Sequence, residues 1–479
     1  MVSESISGDC GDSGGNDDMP RHITTRAQVS GYRFGLARAE HALVRRDERM
    51  LHDPMRAQNR ALVAGAVVAV LILAGAGVYG LIRPAPSVGD ARIVADSGGG
   101  LYVLVDEVMH PVLNLASARL IVGGPLPTKK VSDASLREHP RGPTLGIAGA
   151  PTSLPESAGD AVSSWTVCDG PAGTTVLAGR SPGPAASDAG ALVTYDDEVW
   201  LLYTERGDGT PVRAEVDVAA VEVVRALGIE GARPRPVSAA LLDAFPEREP
   251  LVVPGVPGRG GRGPLDLPVG TVIRTVAVDG AASYRVILAD GVQQIPATAA
   301  DLLRAADPDA SAEVEEVAPG ELTRTPVVDR LPVGHFPVRA PTLVDDAAVL
   351  CRHWSRGRDD AAARESIVVG DRLPLPADAV PVTLGSADGA GPGVDEVFLA
   401  PGTVEHVAVT GARGDSALAG QQFVVADTGV RHRLAGDDAA SSLGFDDTPV
   451  RAPWSVISLL PEGPELSRAA ALTMRDVVR

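Results

Sequence analysis

Ala61-Leu62-Val63-Ala64-Gly65-Ala66-Val67-Val68-Ala69-Val70-Leu71-Ile72-Leu73-Ala74-Gly75-Ala76-Gly77-Val78-Tyr79-Gly80-Leu81-Ile82 runs from Arg60 to Arg83 without a charge. As a helix rising about 1.5 Å per residue it spans about 33 Å, against about 30 Å for the hydrocarbon core of a bilayer. Its glycines are compatible with that setting, because glycine is commoner in membrane helices than in soluble ones. A cleavable signal core is shorter, about 7–15 residues, and lies nearer the N-terminus. A retained transmembrane helix over 61–82 is therefore expected, rather than a signal core or a buried soluble helix.

Arginine sets the orientation. Residues 21–60 carry nine arginines, Arg21, Arg26, Arg33, Arg38, Arg45, Arg46, Arg49, Arg56 and Arg60, against four acids. The other flank offers Arg83 and, a little further on, Asp90 and Arg92. The positive-inside rule predicts a cytoplasmic N-terminus and an extracytoplasmic chain from Pro84 onward.

The chain has 479 residues and a net charge of −19. The first twenty residues contribute −5, residues 21–60 contribute +5 and Arg83 one more, so residues 84–479 carry −20. Such an exterior excludes nucleic acid as a natural partner, since phosphate contacts need clustered Lys and Arg. Aromatics make up only 3%, so the cores must be built from Val, Leu, Ala and Ile. Of three cysteines, Cys10 precedes the apolar helix while Cys168 and Cys351 follow it. On the oxidising side only those two remain to pair, and a disulfide is expected; two buried free thiols are the alternative. The loop it would close, 183 positions long, predicts on the order of 4–5 kcal/mol of stabilisation by chain entropy, less any strain.

Around the apolar helix the chain divides as follows. Residues 1–20 are a polar tail expected to be disordered. Gly11-Asp12-Ser13-Gly14-Gly15 matches the nucleophile loop of trypsin-like proteases. That fold needs its histidine and aspartate upstream, where too little chain stands. Residues 21–60 form a basic segment, with a helix expected over 26–49 and Ser30 as its cap. Tyr32, Leu36, Ala39 and Leu43 recur on one helical face. That face suits either anionic lipid headgroups or a docking partner. A linker covers 83–98.

Beyond it a hairpin followed by an Ala/Leu-rich helix recurs. Tyr102–Val105 turns at Asp106-Glu107 into Val108–Val112; Trp200–Tyr203 turns through Gly207 and Gly209; Arg285–Ala289 turns at Asp290-Gly291 into Val292–Ile295; Phe423–Ala426 turns at Asp427–Gly429 into Val430–Leu434. Pro140-Arg141-Gly142-Pro143-Thr144-Leu145 matches Pro461-Glu462-Gly463-Pro464-Glu465-Leu466, and Pro246–Leu251 is a looser copy. Four repeats are expected, at 99–155, 191–258, 283–345 and 421–479, the third most divergent. Strand-like pieces at 160–190, 265–280 and 346–411 are expected to gather into a central β unit. The predicted class is α+β: one transmembrane helix, then four α+β units around a β core.

No strong catalytic motif is present. A P-loop needs GxxxxGK[ST], and the only lysines, Lys129 and Lys130, stand in Thr128-Lys129-Lys130-Val131. There is no HExxH. Of the histidines beyond the helix, only His353 stands near another soft ligand, Cys351. That pair is too close and too lonely for a zinc site, and no metal is expected. Arg206-Gly207-Asp208 and Arg413-Gly414-Asp415 read as turns rather than adhesion tripeptides. Arg259-Gly260-Gly261-Arg262-Gly263 is a weak polyanion signal.

The segment Thr25-Arg26-Ala27-Gln28-Val29-Ser30-Gly31-Tyr32-Arg33-Phe34 resembles the opening of the EccB family of actinobacterial type VII (ESX) secretion systems. So do Glu40-His41-Ala42-Leu43-Val44-Arg45-Arg46-Asp47, Met50-Leu51, Asp53-Pro54 and Arg56-Ala57-Gln58. The small residues Gly35-Leu36-Ala37 depart from the larger ones expected there. The resemblance implies a structural core subunit of a secretion complex. Its implied partners are an EccC-type ATPase, the EccD and EccE membrane components, a membrane-bound mycosin protease and further copies of itself. It places partner docking on Tyr32, Arg33, Phe34, Leu36, Leu43, Arg45 and Arg46. It also raises a competing class, a membrane-anchored nucleotide hydrolase using ATP, because some members are described as ATPases; a cell-wall anchor is a third reading. No cofactor is expected beyond that one nucleotide.

Overall fold

The computed structural model describes residues 25–46, 54–82 and most of 87–476; the longest stretches outside it within that last span are 155–161, 180–188 and 412–418. The tail with Gly11–Gly15 and Cys10, and Arg413-Gly414-Asp415, lie outside the described residues. The chain separates into an N-terminal unit, Met1–Ala85, and a folded body, Pro86–Arg479.

Two helices make up the described part of the N-terminal unit. Helix α1 spans Arg26–Arg45. Its cap is Thr25, not Ser30: the Gln28 amide donates to Thr25 Oγ1 and the Thr25 amide donates to Gln28 Oε1 at 2.9 Å. That reciprocal box satisfies two of the helix's orphan donors at once, which Ser30, five residues inside, cannot do. The helix stops at Arg46, which takes the left-handed conformation and donates its amide to Ala42 O, short of the expected 49. Helix α2 spans Pro54–Ile82. Proline suits its first position, where no backbone donor is needed. Within it Gln58–Tyr79 is long and apolar enough to cross a membrane.

In the body one unit is built four times. Three antiparallel strands form a meander, and a helix follows. A short strand then pairs parallel with the first strand, and after a helical turn the chain returns beside the third. Repeat 1 uses Ile93–Ala95, Leu101–Val105 and Val108–Val112, helix Leu115–Val122, then Lys129–Lys130 and Thr144–Leu145. Repeat 2 uses Ala189–Tyr195, Glu198–Thr204 and Pro211–Glu215, helix Val221–Leu227, then Arg235–Pro236 and Glu247–Arg248. Repeat 3 uses Val272–Val276, Ala282–Leu288 and Gly291–Ile295, helix Ala297–Ala305, then Glu315–Glu316 and a bridge from Val292 to Val327. Repeat 4 uses Val404–Thr410, Gln422–Ala426 and Arg431–Arg433, helix Asp437–Leu443, then Val450–Pro453 and a bridge from Arg431 to Glu462.

Three assignments made from the sequence change. Ile93–Ala95, expected in the 83–98 linker, is the first strand of repeat 1. Val272–Val276 and Val404–Thr410, expected in the central β unit, are the first strands of repeats 3 and 4. Both reach their partners through connections longer than a two-residue turn; the one in repeat 3 still carries an Asp279-Gly280 turn signal, and the one in repeat 4 does not. Repeat 2 likewise begins one strand earlier than its hairpin suggested, with a tight turn at Asp196-Asp197, both at positive φ.

The central sheet has the order Arg364–Gly370, Val349–Gly357, Val162–Gly170, Gly173–Ala178, Glu396–Phe398, Val382–Thr383. One face packs Trp165, Val167 and Trp354 against Val193 and Leu241 of repeat 2 and Val407, Val425 and Ile457 of repeat 4. The opposite face holds Cys168, Cys351, Leu177 and Phe398, with Leu373 and Leu375 packed on it. Repeats 2 and 3 share a second core, including Leu201, Tyr203, Leu227, Val286, Leu302 and Phe336. Repeats 1 and 4 share a third, including Ile93, Leu120, Val424, Leu443 and Leu466. Arg119 Nη1 donates to Leu443 O at 2.8 Å across that junction, and the C-terminal strand Met474–Arg475 pairs with Thr144–Leu145 of repeat 1. The repeats are therefore nested, first with fourth and second with third, on either side of the sheet-forming segments.

Candidate functional site

The residues singled out for docking lie on α1 and at its end. Tyr32 is 73% exposed, Leu36 59% and Leu43 83%, and Phe34 is exposed as well. Exposed apolar side chains are ordinary when scattered; here Tyr32, Leu36 and Leu43 follow the helical repeat and form a stripe. Arg33 lies within the helix, Arg45 is its last residue and Arg46 its C-cap. Within the N-terminal unit this stripe is exposed.

Cys168 and Cys351 face each other in register on adjacent antiparallel strands and form a disulfide, with Cα atoms 4.0 Å apart. Both are completely buried. The bond ties two strands that are neighbours in the sheet but 183 positions apart in sequence. It also consumes the thiol that might otherwise have joined His353. Among the described residues no three or more His, Cys, Asp or Glu side chains converge as a metal site would need.

The buried polar groups of the body serve the scaffold. Asp169 accepts from Thr174 Oγ1 and Ser238 Oγ at 2.8 Å each and from the Ser238 amide at 2.6 Å, tying the central sheet to the helix Ala239–Ala244 of repeat 2. Asp395 accepts from the amides of Thr174, Asp388 and Gly389. A cavity of about 360 Å³ opens beside this cluster, lined by Asp169, Gly173, Arg235 and Ser238. Arg235 spends its guanidinium on the carbonyls of Ala347, Ala348 and Asp169. Arg352 is buried, pairs with Glu365 and lies 5.9 Å from the Phe245 ring centroid. His353 Nδ1 lies 2.9 Å from Thr166 Oγ1, and burial pushes its pKa down from 6.5 to about 4. His406 and His432 are also pushed down, desolvation being the largest cause in each. Most of these groups find partners in one another, as low-dielectric surroundings demand; Arg352 Nε is buried without a hydrogen-bond partner.

The proline motif has a physical partner that sequence reading missed. In repeat 1 the Met109 amide donates to Pro140 O at 2.8 Å and the Gly142 amide returns to Met109 O at 3.0 Å. In repeat 4 Arg431 exchanges the same pair of bonds with Pro461 and Gly463. The next residue on each strand is a histidine whose Nδ1 meets the carbonyl of the motif's second proline, His110 with Pro143 at 2.9 Å and His432 with Pro464 at 3.0 Å. Each ring packs directly under the motif's glycine. Repeat 3 carries the same clasp at Pro326, with Val292 as the strand partner and Gln293 replacing the histidine. Leu145, Leu251, Leu331 and Leu466, five positions after the four prolines, are all buried. That proline-to-leucine spacing was the signal that would have revealed the third copy.

Comparison with known proteins places this architecture. The family described as "Type VII secretion system ESX-1, transport TM domain B" matches residues 21–479. The chain is 38% identical over 484 residues to the ESX-3 secretion system ATPase EccB3 of Mycolicibacterium smegmatis, covering 96% of this chain and 92% of that protein. It is 34% identical over 485 residues to the ESX-5 secretion system ATPase EccB5 of Mycobacterium tuberculosis, covering 95% of this chain and 94% of that one. Among solved structures it resembles a chain of the intact ESX-5 inner membrane complex, with a TM-score of 0.69, 33% identity, and 96% and 97% of the two chains covered. It also resembles the EccB3 dimer from the ESX-3 core complex, with a TM-score of 0.68 at 35% identity, covering 80% of this chain and all of that one. On this likeness over nearly its whole length, the chain belongs to the EccB family of type VII (ESX) secretion systems.

Proposed function

We propose that this chain is a structural core subunit of a type VII secretion membrane complex. Helix α2 anchors it with the N-terminus in the cytoplasm, where the arginines of residues 21–60 favour retention. Helix α1 docks the cytoplasmic and membrane partners through Tyr32, Arg33, Phe34, Leu36, Leu43, Arg45 and Arg46. The acidic body, outside the membrane, forms the scaffold that meets further copies of the chain. The partners of this reading are an EccC-type ATPase, EccD, EccE and a membrane-bound mycosin protease. The observation that carries it is the exposed stripe on α1, in a chain whose relatives include a component of an inner membrane complex and a dimer.

A second reading, hydrolysis of ATP by the chain itself, is favoured by the name ATPase that the relatives bear. The two separate in one experiment. Replacing Phe34 by Ala and Arg46 by Glu in the full-length protein should deplete the co-purified partners and leave any nucleotide hydrolysis by the purified chain unchanged. A variant that assembles and secretes normally would sink the docking role of α1.

A further inference from the structure

Each repeat returns beside its third strand through the residue that follows the motif's first proline. In repeats 1, 2 and 4 that residue is charged: Arg141, Glu247 and Glu462. The Arg141 guanidinium lies 5.6 Å from the Tyr102 ring centroid, while Glu247 and Glu462 pair with Arg213 and Arg431 at 3.0 Å and 3.2 Å. Charge on an open sheet edge keeps foreign strands away. Repeat 3 has Val327 there, 78% exposed and bridged to Val292. Its neighbours bond inward: the Val292 amide donates to Pro326 O at 2.8 Å and the Val328 amide to Val292 O at 2.9 Å. The amide and carbonyl of Val327 itself therefore point away from the sheet, and neither makes a hydrogen bond among the described residues. Repeat 1 shows what such a side accepts. There Met474–Arg475 is added antiparallel to Thr144–Leu145, just after the proline motif. Among the described residues no strand lies beyond Val327. Beside it a cavity of about 300 Å³ is lined by Arg206, Gln294, Pro296, Val327, Asp329 and Gly334. Its acid, Asp329, already accepts from Gln293 Nε2 at 2.9 Å. Its cation, Arg206, is exposed and makes no ion pair among the described residues.

We propose that the Val327 edge of repeat 3 takes up an extended segment of a partner polypeptide as an added antiparallel strand. The segment sets a small apolar side chain against Val327 and a carboxylate over Arg206. Main-chain hydrogen bonds to Val327 hold it, and the cavity with Arg206 selects its side chains. Charge decides against a second copy of this chain: pairing through the same edge, it would bring another Arg206 instead of a carboxylate. The surface lies in the body and takes no part in docking by α1, so the two roles stand or fall separately.

The probe is a short fluorescent peptide that alternates threonine and valine around one glutamate. It is titrated onto full-length protein in mild detergent and followed by fluorescence anisotropy. The expected result is saturable binding that weakens about tenfold or more in Val327→Lys, which puts a charge on this edge as the other three repeats do. A peptide with the same side chains but alternate backbone nitrogens methylated should bind about tenfold more weakly or worse, because it cannot complete the strand. Arg206→Glu should weaken binding of the glutamate peptide and strengthen binding of one with lysine in its place. Both substitutions fall on exposed side chains, so the fold survives them. Equal binding of the methylated and unmethylated peptides overturns the proposal, as does binding that Val327→Lys leaves unchanged. Absence of binding overturns it too; if Val327→Lys then also lowers the number of copies per particle, it does so in favour of the edge pairing with itself.

Discussion

A methyl group has no room at Gly463. A Cβ there would stand 2.3 Å from His432 Cε1, and one on Gly142 would stand 2.1 Å from His110 Cε1. Neither glycine has positive φ, so the constraint is the ring beneath rather than the backbone. Gly463→Ala and Gly142→Ala should each destabilise the body by about 1–3 kcal/mol, the usual cost of forcing a group into a packed site. Gly320→Ala, where nothing lies within 4 Å, should leave the denaturant midpoint near wild type. His353 supplies a pH dependence. Because burial holds its folded pKa near 4 instead of 6.5, the unfolded imidazole takes up a proton first as the pH falls. Its contribution is complete above about pH 6.5 and is lost on the way down to about 4, at up to about 1.4 kcal/mol per pH unit. His353→Gln should flatten that part of the curve, measured as the difference in unfolding free energy between pH 7 and pH 5. His406 and His432 titrate in the same direction in both proteins, so an unchanged slope would remove His353 from the account.

At the scale of elements, the central sheet depends on a pairing the chain makes late. Val162–Gly170 and Val349–Gly357 meet only after repeats 2 and 3 have been threaded between them, and Cys168–Cys351 fastens them. The double variant Cys168→Ala/Cys351→Ala should lose about 2–5 kcal/mol in denaturant unfolding; a midpoint equal to wild type would show that the sheet does not need the bond. The same scale shows what local sequence can reveal. Asp106-Glu107 and Asp290-Gly291 were legible because two-residue turns leave a local mark between apolar runs. The first strand of repeat 4 was not, since the long connection after Thr410 leaves none; that of repeat 3 was marked by Asp279-Gly280 in Ala277–Ala281 and was overlooked because the connection is five residues rather than two. The cap of α1 was misplaced for a related reason: Ser30 has the right chemistry, but Thr25 also has Gln28 three positions on.

At the scale of the molecule, the fold class, the four units and the cysteine pair were readable from the chain, and the nesting of the units was not. Arg119 and Leu443 touch across more than three hundred positions, and no periodicity reports a contact of that range. The candidate site was legible as a stripe on one helical face, because Tyr32, Leu36 and Leu43 keep the helical spacing. Repeat proteins in which each unit meets only its sequence neighbour can grow indefinitely. Here the first unit closes on the fourth and the body is finite, as a subunit of fixed geometry requires.

The most direct test of the central claim is purification of the tagged full-length protein from its native membrane in mild detergent, with mass spectrometry of what accompanies it. The account predicts an EccC-type ATPase and the multi-pass EccD and EccE components, together with additional copies of this chain. Recovery of the chain alone, hydrolysing nucleotide by itself, would contradict it.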